Sequence, residues 1–278
     1  MRGLGAMGAA LIQACPNDVL WSGWDPDIDA QDRWRRLGGQ VLEPIPEETD
    51  LILSLLPSIE ALNATTATIL KTGSKTGAVW AEASTLPTEA KTAARARLDP
   101  IGITMLDTPI SGTAEMATQG KGIFFVGGPE EPASHAISVL RRFSARAVHV
   151  GTFQNASLVK LVAQHLVMVH TAAAAEALAF SELSGIDAQI AVDALSGTAA
   201  DSMMLQMRGP RMAERSYIPA AGALSIIAKD LEIVGAKAQE MTADLPLLMA
   251  IADRYREAIT QDPKRDLAAI FESYVTET

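Results

Sequence analysis

In the first half of the chain, short apolar runs alternate with longer stretches that mix polar and apolar residues. The apolar runs predict buried strands at 19–24, 51–56, 78–82, 104–107, 123–126 and 147–150. The stretches between them, such as 59–70 and 88–98, are long enough for helices that cross over a sheet. This alternation predicts a mostly parallel, doubly wound sheet with helices on both faces.

After Gly151 the apolar residues take up helical spacing and strand-like alternation stops. One helical face carries Leu158, Leu161, Val162, His165, Leu166 and Val169, which predicts a single long helix over 155–185. Further helices are predicted at 188–195, 225–242 and 246–259.

The run Arg208-Gly209-Pro210-Arg211 is interpreted as a compact basic loop. It could close on an anionic substrate or be a solvated surface turn. We therefore predict an α/β domain over 1–153 and an all-helical domain over 154–278, joined through the long helix.

Composition narrows the classes of function. The 278 residues carry 23 Lys and Arg against 33 Asp and Glu, a net charge of -10, which disfavours nucleic acid and anionic membranes as partners. The most apolar stretch, 165–180, is shorter than the roughly 20 apolar residues of a membrane span, so it predicts a buried helix. The single cysteine, Cys15, excludes an intrachain disulfide and favours the cytoplasm. The four histidines have no metal-ligand spacing, so no metal site is expected.

A glycine-rich turn opens the chain. Its residues are Gly3-Leu4-Gly5-Ala6-Met7-Gly8. They fit G-x-G-x-x-G, the dinucleotide-binding turn of Rossmann-type folds, in which a helix N-terminus faces the pyrophosphate. Asp25 follows the next predicted strand about 20 residues on, where a carboxylate can accept both ribose hydroxyls. This arrangement favours NAD as the cofactor.

Each of these features also has a simpler interpretation. Glycines occur in many strand-to-helix turns, and Asp25 could be only a turn residue before Pro26. NADP stays possible if one of three nearby arginines neutralises its 2'-phosphate; these are Arg33, Arg35 and Arg36.

The chain has almost no residues before the glycine turn. Only Met1 and Arg2 precede Gly3, so the first strand, which is normally central in a doubly wound sheet, is expected to be missing. Loss of a central strand would leave backbone groups of both neighbouring strands unpaired. The hypothesis that follows is an N-terminally truncated sequence or a misassigned start.

Seven motifs follow one another in a recognisable order. They are Gly3 to Gly8, Leu55-Leu56-Pro57-Ser58, Ser84-Thr85, Asp107-Thr108-Pro109-Ile110-Ser111-Gly112-Thr113 with Gly120, Val126-Gly127-Gly128, Lys160, and Lys229-Asp230-Leu231. In these motifs the chain resembles the beta-hydroxyacid dehydrogenase family. That family includes 3-hydroxyisobutyrate dehydrogenase and is related in fold to 6-phosphogluconate dehydrogenase. The resemblance covers nearly the whole chain.

The resemblance implies an NAD-dependent oxidoreductase acting on a small beta-hydroxy acid. Lys160 matches the catalytic acid/base of the family, and burial among its apolar neighbours would bring its pKa toward the working range. Ser111, Gly112 and Thr113 match the segment that binds the substrate carboxylate, although a second glycine is commoner where Thr113 stands. Gln164 lies four residues after Lys160, shares its helical face and is expected to position the substrate.

The resemblance also assigns the remaining cofactor contacts. Leu56 and Pro57 are expected near the adenosine and its ribose, and Ser84 and Thr85 near the nicotinamide. Lys229 is expected to reach the nicotinamide end of the pocket. Without these motifs, Lys160 would be interpreted as a lysine extending to solvent, and Lys229 with Asp230 as a surface pair. A homodimer or homotetramer formed through the Ala-rich helical half is implied.

Besides Thr113, four residues depart from the family pattern. They are Gln154, Ala156, Gln164 and His165, of which His165 is interpreted first as a satisfied core or interface histidine. These departures leave open a reductase of imines or of a bulkier or phosphorylated hydroxy acid, with NADP as a possible cofactor. The expected absence of the first strand leaves open a dinucleotide-binding protein without turnover.

Overall fold

The computed structural model describes residues 1–46, 48–72 and 77–275. The chain divides into two compact units, Met1–Lys160 and Leu161–Thr278. The long helix α7 begins in the first unit and continues into the second.

The first unit alternates strands and helices along the chain. Its elements are α1 (Ala6–Ala14), β1 (Ser22–Gly23), α2 (Ile28–Arg36), β2 (Gln40–Val41), β3 (Leu51–Ser54), α3 (Ile59–Thr72), β4 (Val79–Glu82), α4 (Thr88–Leu98), β5 (Thr104–Asp107), β6 (Ile110–Ser111), α5 (Ala114–Thr118), β7 (Ile123–Val126), α6 (Glu130–Leu140), β8 (Arg146–His149) and the start of α7 (Asn155–Leu183).

Parallel pairing links most of these strands. β3, β4 and β5 pair in parallel, as do β1 with β2 and β7 with β8, while β6 runs antiparallel to β7. An antiparallel bridge between Asp107 and Gly127 connects β5 to the strand group of β7. The strand predictions at 104–107 and 123–126 agree with the structure residue for residue. β1 is shorter than predicted, since its partner β2 has only two residues and Leu20 lies outside the pairing, fully exposed.

The start of the chain occupies the centre of this strand order. Arg2 forms parallel bridges with both Trp24, next to β1, and Ser54 at the end of β3. Arg2 donates its N–H to Leu53 O at 2.8 Å and its carbonyl accepts from Leu55 N at 2.8 Å. On the other side Trp24 N donates to Met1 O at 3.0 Å. Beside Met1 and Arg2, therefore, the backbone groups of both neighbouring strands are hydrogen bonded.

Side chains alternate along β3, β4 and β5 to fill two cores. Leu53, Ala81 and Leu106 pack on one face in a cluster that includes residues of α1 and α6. Their neighbours Ile52, Trp80 and Met105 pack on the other face with residues of α3 and α4. Both faces are thus buried, which explains why these strands are continuous apolar runs. The prediction of a Rossmann-type doubly wound sheet is confirmed.

The second unit consists of helices. After α7 come α8 (Ala188–Leu195), α9 (Met203–Ala213), α10 (Leu224–Glu240), α11 (Pro246–Gln261) and a 3-10 helix at Leu267–Ser273. Met168, Ala172, Ala175 and Ala179 of α7 belong to its core at helical spacing, and the buried Tyr255 hydroxyl donates to Met168 O at 3.0 Å. The predicted all-helical second half with a long joining helix is confirmed. By length and composition α7 could cross a membrane, but these buried residues make it the core helix of this unit.

The predicted basic loop at 208–211 is wrong, because these residues lie inside α9. Arg208 is 3% exposed and donates to Asp266 Oδ2 at 2.8 Å, so it is neither solvated nor available to a substrate. Arg211 donates to Pro219 O at 2.9 Å. Pro210 and Gly209, which suggested a turn, both lie inside α9. Gly209 packs against Val192, where a Cβ would lie 2.8 Å from Val192 Cγ2.

Candidate active site

The glycine turn combines close packing with one open position. Gly3 has a φ of +86°, and a Cβ there would lie 2.1 Å from Leu55 O. A Cβ on Gly8 would lie 2.6 Å from Gly3 O. A Cβ on Gly5 would meet no heavy atom within 4 Å among the described residues. Gly3 and Gly8 therefore let the chain segments pack, whereas Gly5 borders open space.

Helix α1 begins directly after this open position. Gly5 is its N-cap residue, and it supplies no side chain to hydrogen bond the first N–H groups. Gly5 and Ala6 are exposed, Met7 is half-buried and Leu4 is buried. Helix N-termini of this kind attract phosphate through their N–H groups and dipole. The turn therefore fits the pyrophosphate of a dinucleotide.

Asp25 contacts the glycine turn. Its Oδ2 accepts from Leu4 N at 2.7 Å and its Oδ1 accepts from Asp27 N at 2.9 Å. A carboxylate has further lone pairs, so these bonds leave it able to accept from ribose hydroxyls. Of the arginines considered for a 2'-phosphate, Arg35 is 2.6 Å from Asp32 and Arg33 is 3.7 Å from Asp27.

The segments after β3 and β4 are joined by a side chain. Ser84 is buried, and its Oγ accepts from Leu56 N at 2.6 Å. Ser84 N in turn donates to Glu82 Oε1 at 3.0 Å. Pro57 is exposed and Thr85 half-buried at the same two segments. The structure thus brings the predicted adenosine and nicotinamide contacts together at the carboxyl ends of neighbouring strands.

The predicted carboxylate segment follows β5 and contains β6. Ser111 and Thr113 are half-buried, and Gly112 between them has a φ of +131°, a conformation that favours glycine. Thr113 is the N-cap of α5, since its Oγ1 accepts from Met116 N at 3.2 Å. The hydroxyl hydrogen of Thr113 can still be donated, which is the function a carboxylate ligand needs.

Lys160 lies in the second turn of α7 and is 7% exposed. The expectation that its sequence neighbours surround it is wrong for Val162, which is 60% exposed. Residues one and two apart on a helix point in different directions, so Val162 is exposed although Lys160 is buried, and the other three apolar neighbours are half-buried.

In the second unit, Gln164 and the Lys229-Asp230 pair lie together. Gln164 Nε2 donates to Asp230 Oδ2, and Asp230 is 1% exposed. Lys229 Nζ is 3.9 Å from Asp230 Oδ1 and its side chain is 46% exposed. The Nδ1 of His165 is buried and has no hydrogen-bond partner among the described residues, so this histidine is not a satisfied core residue within them.

Sequence reasoning missed a buried charge cluster beside these segments. Lys91 of α4 is 0% exposed, with Nζ 2.8 Å from both Glu82 Oε2 and Asp107 Oδ1. Ser157, in the first turn of α7, donates its N–H to Asp107 Oδ2 at 2.6 Å. The available signal was a lysine on the apolar stripe of α4, in line with the buried Thr88, Ala94 and Leu98. In the described ranges, no group of three or more His, Cys, Asp or Glu could hold a metal ion.

Comparisons with known proteins agree with this layout. Residues 1–151 match the NAD binding domain of 6-phosphogluconate dehydrogenase, and residues 155–274 match the NAD-binding family model of NADP-dependent 3-hydroxyisobutyrate dehydrogenase. An L-threonate dehydrogenase from Cupriavidus necator is 30% identical over 93% of this chain and 89% of its own length.

Two solved structures share the fold. A 3-hydroxyisobutyrate dehydrogenase from Salmonella typhimurium is 25% identical with a TM-score of 0.83, covering 98% of each chain. A 3-hydroxyisobutyrate dehydrogenase from Mycobacterium tuberculosis has a TM-score of 0.87 at 23% identity, covering 99% of this chain and 98% of its own. On the matched family models and the relative from Cupriavidus, this chain belongs to the beta-hydroxyacid dehydrogenase family of NAD(P)-dependent dehydrogenases that act on a hydroxyl group.

Proposed function

We propose that this enzyme transfers a hydride between NAD and a small beta-hydroxy acid, in the manner of a 3-hydroxyisobutyrate dehydrogenase. The observation that carries the proposal is the burial of Lys160 at the position of the family's acid/base residue. The similar proteins described above, an L-threonate dehydrogenase and a 3-hydroxyisobutyrate dehydrogenase, are both named for hydroxy acids, which supports a hydroxy acid as the substrate.

The glycine turn would hold the pyrophosphate of the cofactor, and Asp25 its adenosine ribose. Leu56 and Pro57 would lie along the adenosine side, while Ser84, Thr85 and Lys229 would contact the nicotinamide. When bound, the nicotinamide supplies the hydride acceptor or donor.

The residues of the chain supply binding, orientation and the proton. Ser111, Thr113 and the N–H of Gly112 donate hydrogen bonds to the substrate carboxylate. Gln164, oriented by Asp230, holds the substrate by an amide hydrogen bond. The Nζ of Lys160 accepts the hydroxyl proton as the alcohol is oxidised and returns it to the oxygen in the reverse reaction. Lys160 is 7% exposed, so little water competes with the substrate for its Nζ.

We expect a preference for NAD over NADP of about 100-fold in kcat/KM, because the Asp25 carboxylate would face the 2'-phosphate of NADP and like charges in contact cost several kcal/mol. Asp25→Asn should reduce that ratio to about tenfold or less, since it removes the charge and keeps one acceptor oxygen for Leu4 N. Initial rates with both cofactors check this. A variant that keeps the full wild-type ratio would show that Asp25 does not select the cofactor.

The proposed function is tested with a panel of three- to six-carbon hydroxy acids, including 3-hydroxyisobutyrate and L-threonate, assayed with NAD and NADP in parallel. The panel also contains the corresponding aldehyde and keto acids and a set of imines, assayed with NADH and NADPH. We expect saturable turnover of at least one beta-hydroxy acid. NADH binding without oxidation by any aldehyde or keto acid of the panel would instead identify a dinucleotide-binding protein without turnover, and activity only on imines would identify a reductase of another class.

We further propose a cytoplasmic homodimer or homotetramer. Large apolar side chains on α7 and α8 are exposed, among them Phe180 at 73% and Ile190 at 61%, which favours their burial between subunits. Light scattering after size-exclusion chromatography should give two or four times the 29.4 kDa chain mass, and a monomer would refute this assembly.

A further inference from the structure

Lys91 lies between two carboxylates that end adjacent strands. Glu82 ends β4 and Asp107 ends β5, and the two residues are partners in the strand register. All three side chains are fully buried. Burial lowers the pKa of Lys91, but Glu82 and Asp107 outweigh it and the pKa lies above its ordinary value. Replacing such buried ions by apolar residues is often neutral or stabilising, so fold stability alone is a weak reason for this cluster.

One branch of the cluster leads to the cofactor segments. The second oxygen of Glu82, Oε1, accepts from Ser84 N at 3.0 Å, and Ser84 Oγ accepts from Leu56 N at 2.6 Å. Glu82 thus holds the two segments that follow β3 and β4 in one arrangement.

The other branch leads to the helix that carries Lys160. Asp107 accepts from Ser157 twice, through Oδ2 from the N–H at 2.6 Å and through Oδ1 from the hydroxyl at 2.9 Å. Ser157 precedes Lys160 by three residues, so the two lie on the same face of α7. Asp107 therefore tethers the helical turn directly before Lys160.

We propose that Glu82, Lys91, Asp107 and Ser157 are positioning residues that fix Lys160 relative to the cofactor segments at Leu56 and Ser84. Lys91 joins the two carboxylates and so makes the two branches one rigid unit. This role rests on the proposed function, in which Lys160 exchanges a proton with the substrate. Displacement of a reacting group by about 1 Å can cost about 100-fold in rate, so a tether of this kind has a direct effect on turnover.

The test uses Asp107→Asn and Ser157→Ala, each with a matched control. Asp266→Asn alters a buried aspartate that also pairs with a buried cation, Arg208. Ser144→Ala removes a buried hydroxyl that donates to Leu140 O at 2.7 Å.

We expect kcat to fall about 10- to 100-fold in Asp107→Asn and about tenfold in Ser157→Ala, with KM for the acid nearly unchanged. Both controls should keep kcat within about twofold of wild type. Ser157→Thr, which keeps the hydroxyl, should retain most of the wild-type kcat.

A second readout is independent of turnover. Amide hydrogen exchange over 155–160 should become faster in Asp107→Asn and Ser157→Ala and stay unchanged in both controls, because the tether to α7 is lost only in the former pair. NADH affinity, followed by fluorescence, should weaken in Asp107→Asn more than in Asp266→Asn.

The outcomes separate this proposal from the proposed function. If the wild type turns over an acid but the tether variants lose no more kcat than their controls, the positioning role is wrong while the function stands. If the wild type turns over none of the acids, the proposed function is wrong. Amide hydrogen exchange over 155–160 and NADH affinity then show whether the tether to α7 exists. Unchanged values of both in the tether variants would then overturn it.

Discussion

Replacing Lys160 by methionine should lower kcat about 10²- to 10⁴-fold while the Kd for NADH stays within about threefold of wild type. Methionine keeps most of the apolar stem of this buried residue but cannot exchange a proton. The loss should therefore fall on the chemical step and not on binding. Steady-state rates and a fluorescence titration with NADH measure the two quantities separately.

The matched control is Lys121→Met, because Lys121 is an exposed lysine of the first unit outside every segment assigned to the site. It should keep full kcat. A Lys160→Met enzyme with the same kcat as Lys121→Met would remove Lys160 from its assigned role.

Gly3→Ala should lower the free energy of unfolding by about 3 kcal/mol or more. Its Cβ would lie 2.1 Å from the backbone oxygen of Leu55, a residue whose N–H donates to Arg2 O, and its φ of +86° is unfavourable for alanine. Either the turn or the strand pairing of Arg2 must shift to relieve this contact. Denaturant unfolding of the purified variant measures the loss.

Gly5→Ala provides the matched comparison. Because its Cβ meets no heavy atom within 4 Å among the described residues, the free energy of unfolding should fall by only about 1 kcal/mol, the cost of alanine at this N-cap position. The same methyl group would occupy the approach of the pyrophosphate, so the Kd for NADH should rise at least about tenfold. A Gly5→Ala protein that binds NADH as tightly as wild type would show that the phosphates lie elsewhere.

The sequence predicted those parts of the fold that depend on local pattern. Apolar runs at β5 and β7 and helical spacing along α7 are signals that neighbouring residues carry alone. The run 208–211 was misleading because Gly and Pro indicate a turn locally, whereas Arg208 lies in α9 and pairs with the buried Asp266, 58 positions away. Such long-range pairing is set by tertiary packing and leaves no periodic signal.

The candidate site divides in the same way. Motif spacing identified individual residues such as Ser84 and Asp25, whose roles stay predictions. It did not identify the hydrogen bonds that these residues form with other segments. The contacts of Asp25 with Leu4 N and of Ser84 with Leu56 N join residues that are distant in sequence. Lys91 could be noticed only as a charge at an apolar helix position, and its two carboxylates emerge only from strand register.

Transfer of deuterium from substrate to cofactor shows whether this protein oxidises a beta-hydroxy acid. A beta-hydroxy acid carrying deuterium on its hydroxyl-bearing carbon is incubated with NAD and the enzyme, and the mass of the product cofactor is measured. We expect NADH that carries one deuterium, formed by wild type and far more slowly by Lys160→Met. Unlabelled cofactor with every acid, under conditions where the protein binds NADH, would contradict it.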